Sequence, residues 1–170
     1  MYQRILVPVD GSLTAKAGLD EAIRLARLTG AELRLMHVLD AAAYATGFEP
    51  ANVYCNEVLP LMKRAGARVL EEGKERVERS GLKADCVLLE TVADRVCDLV
   101  AAQAIDWSAD LIVIGTHGRH GVGRLFLGSD AEQIMRTAPV PVLLVRTDGE
   151  EGARSMRRVA GSESSAAVAM

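Results

Sequence analysis

Apolar residues fall along the chain in two alternating rhythms. Five short runs rich in Val, Ile and Leu stand at Ile5–Val9, Leu33–Leu39, Cys86–Leu89, Leu111–Ile114 and Val140–Val145. The fourth, Leu111-Ile112-Val113-Ile114, is uninterrupted, as in a strand buried on both faces of a parallel sheet. Between the runs the spacing is helical. Ala15, Leu19, Ala22, Ile23 and Ala26 form one stripe that ends at Gly30, a natural helix stop. A second helix is predicted from about Pro60, a good first-turn residue, to Ser80, with Gly81 as its terminator. A third carries Val96, Leu99 and Val100 and ends near Trp107, and a fourth runs from Ser129 to before Pro139. Residues 40–59 read as a long connection, loop or short helix.

The element order is therefore β-α-β-α-β-α-β-α-β. Strands alternating with helices pair in parallel through right-handed crossovers, which predicts a doubly wound open α/β sheet with helices on both faces. After Gly149 the apolar periodicity stops, and Gly, Ser, Ala and mixed charges follow to Met170. The expected organisation is one domain over 1–148 and a disordered tail over 149–170.

Composition narrows the function classes. The 170 residues are 49% hydrophobic and 25% charged, with a net charge of −3, enough apolar surface for a core without staples. A balance so close to neutral gives no electrostatic reason to expect a nucleic-acid partner. No apolar run reaches the ~18 residues of a membrane span, and the first ten residues lack a signal-peptide profile. Cys55, Cys86 and Cys97 have no metal-type spacing, so reduced thiols and a cytoplasmic location are expected.

The chemistry concentrates in Gly115-Thr-His-Gly-Arg-His-Gly-Val-Gly-Arg-Leu-Phe-Leu-Gly-Ser129, between the most buried strand and a helix. Glycines at 115, 118, 121, 123 and 128 allow close backbone approach to a ligand. Ser129-Asp-Ala-Glu132 predicts a capping box, with Ser129 as the cap. Amides at a helix start beside glycine amides suit a phosphate, and Arg119 and Arg124 can add charge. A Walker loop is excluded because Arg124-Leu125 stands where Lys-[Ser/Thr] is needed. A dinucleotide fingerprint is excluded because its third glycine position holds Phe126 and the loop follows the wrong strand.

The spacing Gly115-x2-Gly118-x9-Gly128-Ser129 matches the ATP-binding signature of the universal stress protein family. The opening Ile5-Leu-Val-Pro-Val-Asp10-Gly-Ser12, the pair His37-Val38 and the closing Pro139-Val-Pro-Val-Leu-Leu-Val145 also resemble that family, over about residues 1–147. The resemblance implies an adenine nucleotide alpha hydrolase-like sheet of order 3-2-1-4-5 that brings Asp10 beside Gly115. It implies ATP as ligand, bridged by Mg²⁺ or Mn²⁺, with Asp10 on the ribose, the Val38 backbone on the adenine edge, and Gly118, Gly128 and Ser129 on the phosphates. Pro8, Val9, Gly115, Thr116, His117, Arg119 and Asp130 complete the implied binding set, with no catalytic residue and no metal ligand. Asp130 places a negative charge near the phosphates, and Thr91-Val92-Ala93 departs from the Gly and Pro often seen in the third-strand loop. A homodimer through strand Val140–Arg146 is also implied. The readings held beside this one are a nucleotide-independent stress protein and an adenylating enzyme of related fold. Pro8-Val9-Asp10-Gly11-Ser12 lacks the Ser-Gly-Gly-x-Asp-Ser or His-x-Gly-His elements such an enzyme would carry. His37 reads as a satisfied core histidine, and Cys97 as core filler.

Overall fold

A computed structural model describes residues 1–40, 54–116 and 128–146. Its elements are β1 (Arg4–Pro8), α1 (Leu13–Thr29), β2 (Glu32–Asp40), a π-helical turn (Tyr54–Val58) running into α2 (Leu59–Arg79), β3 (Ala84–Thr91), α3 (Val96–Asp106), β4 (Leu111–Gly115), α4 (Ser129–Thr137) and β5 (Val142–Val145). The strands form one sheet in the order β3-β2-β1-β4-β5, with every neighbouring pair parallel. This is the doubly wound fold that the alternation of elements predicts.

Odd and even positions of the strands supply two cores. Ile5, Val7, Leu33, Leu35, Leu111 and Val113 face α1 and α2, whereas Leu6, Met36, Ile112 and Ile114 face α3 and α4. All four of Leu111 to Ile114 are buried, as an uninterrupted apolar run requires of a central strand.

Helix α1 starts where the Ser12 hydroxyl accepts the Ala15 amide at 3.1 Å and stops where Gly30 takes φ +75°. Its buried face holds the expected stripe of Ala15, Leu19, Ala22, Ile23 and Ala26, and also Gly18. Helix α2 buries Met62, Gly66, Leu70, Gly73 and Val77. Two glycines on that face let the helix lie close, since a Cβ at Gly73 would meet Leu35 at 2.9 Å.

Strand boundaries shift from the sequence expectation by one residue at β1, at β2 and at the end of β4, and by two at β3 and at the start of β5. The last strand begins at Val142 rather than Val140, because Pro139 and Pro141 bring no amide to a ladder. Pro141 still accepts the Ile112 amide through its carbonyl, at 3.0 Å. The third strand is longer than Cys86–Leu89, extending to Ala84 and Thr91 in full register with Leu33 to Asp40. The segment 149–170, expected to be disordered, lies outside the described residues.

Candidate functional site

Strand β1 lies at the topological switch point. Its neighbour β2 is reached through α1 on one face, while neighbour β4 leads to β5 through α4 on the other. The crevice of such a sheet opens beyond the carboxyl ends of these strands, where β1 continues into Val9-Asp10-Gly11-Ser12 and β4 ends at Gly115.

The turn after β1 is held at each residue. Val9 donates its amide to the Met36 carbonyl at 2.8 Å. Its own carbonyl lies 2.6 Å from Nδ1 of buried His37. Asp10 accepts the Ser12 amide on Oδ1 at 2.9 Å, closing an Asx turn. Gly11 supplies the φ of +83° that this turn needs. Asp10 is thus a local cap, the modest role open to an aspartate at a strand end, and half-buried at the mouth of the crevice.

Across the crevice, Gly115 serves a packing role besides any ligand. A Cβ there would stand 2.4 Å from the Thr14 carbonyl oxygen, and one at Gly18 would stand 3.1 Å from the Gly115 nitrogen. The first turn of α1 therefore rests directly on the end of β4, setting Asp10 and Gly115 side by side. Gly18 escapes the hydrophobic pattern because a glycine adds nothing to an apolar stripe. A glycine on the buried face of a helix, four residues from Thr14, is the signal that could have found it.

The chain returns to this point at Gly128. Its amide donates to the Thr116 carbonyl at 2.8 Å, while the Thr116 amide is held by Val145 at 3.0 Å. The expected capping box does not form. Gly128 is the cap residue, its carbonyl accepting the Glu132 amide at 2.9 Å, and Ser129 is the first helical residue with no side-chain cap. Tying the Gly128 amide to β4 starts the helix one residue earlier. The Ser129 side chain is then left exposed, and Glu132 is free to pair with Arg136 at 2.8 Å. Asp130 is exposed in the same turn.

Pro8, Val9, Asp10, Gly115, Thr116, Gly128, Ser129 and Asp130 are therefore gathered around the ends of β1 and β4. Val38 lies one strand over, half-buried in β2 and paired in register with Leu89. His117, Gly118 and Arg119 lie outside the described residues. At the rim, Thr91 accepts the Asp94 amide on its hydroxyl at 2.8 Å, so the third-strand loop turns without glycine or proline. His37 and Cys97 are buried as expected, the Cys97 sulfur 3.5 Å from the Gln133 Oε1.

A cavity of about 300 Å³ opens between α1 and α2, floored by Val9, Ala15, Leu19 and Gly73. The cations at its wall are paired. Lys16 lies 3.7 Å from Glu72, and Arg76 donates to Asp20 at 2.6 Å, a hydrogen bond that raises the guanidinium pKa further. With opposite charges matched it offers no field for phosphate, unlike the amides at the strand ends.

The strand order and the helices on both faces define an open doubly wound α/β fold, with a crevice at its switch point. Residues 1–146 match the model of the universal stress protein family, and the chain belongs to that family. It is 37% identical over 151 residues to a universal stress protein of Thermus aquaticus, covering 86% of this chain and all of that protein. The solved structure of the hypothetical protein MJ0577 superposes with a TM-score of 0.75 at 26% identity, over 88% of this chain and 99% of that one. A universal stress protein from Archaeoglobus fulgidus, solved in complex with dAMP, shares the fold with a TM-score of 0.62 at 23% identity, over 84% and 97% of the two chains. Among the described residues no helix is long and apolar enough to cross a membrane.

Proposed function

We propose that this chain is an ATP-binding regulatory module of the stress response, with the nucleotide seated beyond the ends of β1 and β4. The observation that carries the reading is the pinned Val9-Asp10-Gly11-Ser12 turn beside Gly115, Thr116 and Gly128. In this arrangement the Asp10 carboxylate accepts the ribose hydroxyls, flanked by Pro8 and Val9, and the Val38 backbone meets the adenine edge. Amides around Gly115, Gly118, Gly128 and Ser129 take the phosphates, with Thr116, His117 and Arg119 as further donors. The dAMP complex of a fold neighbour agrees in ligand class, and the residue roles are those the family resemblance implies.

Among the described residues no group of three or more His, Cys, Asp or Glu could hold a metal. Mg²⁺ or Mn²⁺ would arrive with the nucleotide, on its phosphates. Glu132 is engaged with Arg136 and Asp10 holds the ribose in this reading, so neither serves as a general base. Any hydrolysis of ATP is slow, and the protein is no dedicated enzyme. A cytoplasmic location fits the free thiols of Cys86 and Cys97.

Labelled-ATP binding with and without Mg²⁺ tests the reading. Asp10→Ala removes a charged hydrogen bond of about 1.5–3 kcal/mol, so affinity falls roughly 10- to 150-fold. Unchanged affinity in a folded variant would remove the ribose role. AMP and pyrophosphate as products would point instead to an adenylating enzyme.

The homodimer belongs to the same proposal. Strand β5 is an edge reading Val142-Leu-Leu-Val145, with no charged side chain. Such an edge attracts a second chain, while Pro139 and Pro141 limit how far pairing extends. Two copies would pair it antiparallel about a two-fold axis. Light scattering at micromolar concentration should give twice the 18.2 kDa of one chain, and Leu143→Pro should shift the population away from dimer. A clean wild-type monomer would refute it.

A further inference from the structure

We propose that His37 is the positioning residue of the nucleotide site, acting through the Val9 carbonyl on the placement of Asp10; this rests on the nucleotide reading above. A carbonyl oxygen only accepts, so at 2.6 Å the His37 Nδ1 carries the proton and donates it to Val9. Val9 is then held from both sides by adjacent residues of β2, its amide by Met36 and its carbonyl by the His37 ring. The peptide joining Val9 to Asp10 cannot rotate without breaking a buried hydrogen bond. The plane of that peptide sets where the Asp10 Cα, and hence its carboxylate, stands.

The ring also ends the ladder. The β1–β2 register runs from Arg4↔Glu32 to Pro8↔Met36 and stops. In a parallel pair the next rung would bring the Val38 amide to this same Val9 carbonyl. With the ring on that carbonyl, β1 leaves the sheet at Val9 while β2 continues beside β3 to Asp40. The strands part between Asp10 and Val38, the two residues assigned to the nucleoside.

The ring is itself fixed from behind by α2. A Cβ at Gly66 would stand 2.8 Å from the His37 Cδ2, so only a glycine lets the helix lie against the imidazole.

The test is ATP binding by the full chain, with thermal unfolding measured alongside. Wild type, His37→Asn, His37→Gln and His37→Leu are compared, each with and without Asp10→Ala. The asparagine amide nitrogen hangs from Cγ, as Nδ1 does, and can still donate to Val9. The glutamine amide sits one bond further out and cannot take that place. His37→Leu and His37→Gln should each weaken ATP binding about tenfold, 1.4 kcal/mol, and His37→Asn should stay within about threefold of wild type. In the Asp10→Ala background the same changes should move affinity less than about twofold, since the residue they place is gone. Should His37→Leu fail to fold, the contrast between Asn and Gln carries the test. Equal losses with and without Asp10, or Asn as damaging as Gln in folded proteins, would overturn the positioning role alone. A wild-type chain that binds no ATP would overturn the nucleotide reading and this inference with it.

Discussion

At the amino ends of the strands, charged side chains hold one another and the start of β1. Arg4 pairs with Glu32 at 3.5 Å and donates to the Trp107 carbonyl at 3.1 Å, and Arg34 pairs with Asp85. The Arg34 guanidinium lies over the Trp107 ring, 4.7 Å from its centroid, and among the described residues its buried Nε has no hydrogen-bond partner. Above the carboxyl ends of β1 and β4 the arrangement is different. There the polar groups are backbone amides and carbonyls set by three short devices: the His37 ring on Val9, the Asx turn of Asp10, and the Gly128 amide on Thr116. One end is closed by paired side chains, which suits stability. The other holds its backbone in a fixed shape beside one half-buried carboxylate, which suits a ligand. Substitutions at the two ends should therefore separate folding from binding.

The largest effect is expected where the two properties meet, at Gly115. Its position beneath Thr14 leaves a new Cβ 2.4 Å from a backbone oxygen, which can yield only if α1 moves. Overpacking of this kind costs about 3 kcal/mol. For a domain of this size that is roughly 6–12 °C in Tm. Gly115→Ala should lower the melting temperature by that much in differential scanning calorimetry. It should also weaken ATP binding, because the displaced helix carries Ser12 and the end of the Asp10 turn. A drop under about 3 °C would show that α1 does not rest on β4 as tightly as described.

Much of this was legible in the chain, and the exceptions share a cause. Strand and helix order followed from apolar period alone, and the α1 stripe was legible in every member but Gly18, which has no side chain to count. The Asp10–Gly115 juxtaposition came from the family resemblance, through the strand order it implies. What escaped depended on bonds between distant residues. Ser129-Asp-Ala-Glu132 suits a helix that starts at either Ser129 or Gly128, and the choice is made by the Gly128–Thr116 bond across residues 117–127. His37 was legible as a buried histidine, yet its partner Val9 lies 28 residues away. Period and propensity describe neighbours along a helix or strand, whereas the site is assembled from contacts between strand ends.

The smaller effect is expected at the opposite end of the sheet, at Asp110. Its carboxylate accepts two successive amides where β1 begins, Gln3 at 2.7 Å and Arg4 at 3.0 Å, while its own amide donates to the Arg4 carbonyl at 3.0 Å. The residue thus fastens the first turn of chain to the strand that will end at Gly115, some five residues away along β4. Each bond has a charged acceptor, but both are exposed to water, so about 1–2 kcal/mol together is a fair expectation, below the range for buried charged bonds. Asp110→Ala should then lower Tm by roughly 2–8 °C and leave ATP affinity unchanged. Asp110→Asn sharpens the point. It keeps the shape but turns one acceptor into an NH₂ donor facing an amide N–H, so it should rescue little of the loss. Full recovery in the asparagine variant would mean that one bond suffices. A fall in ATP affinity at either substitution, with Tm preserved, would mean that the amino end of the sheet is coupled to the site and that the two ends are not independent.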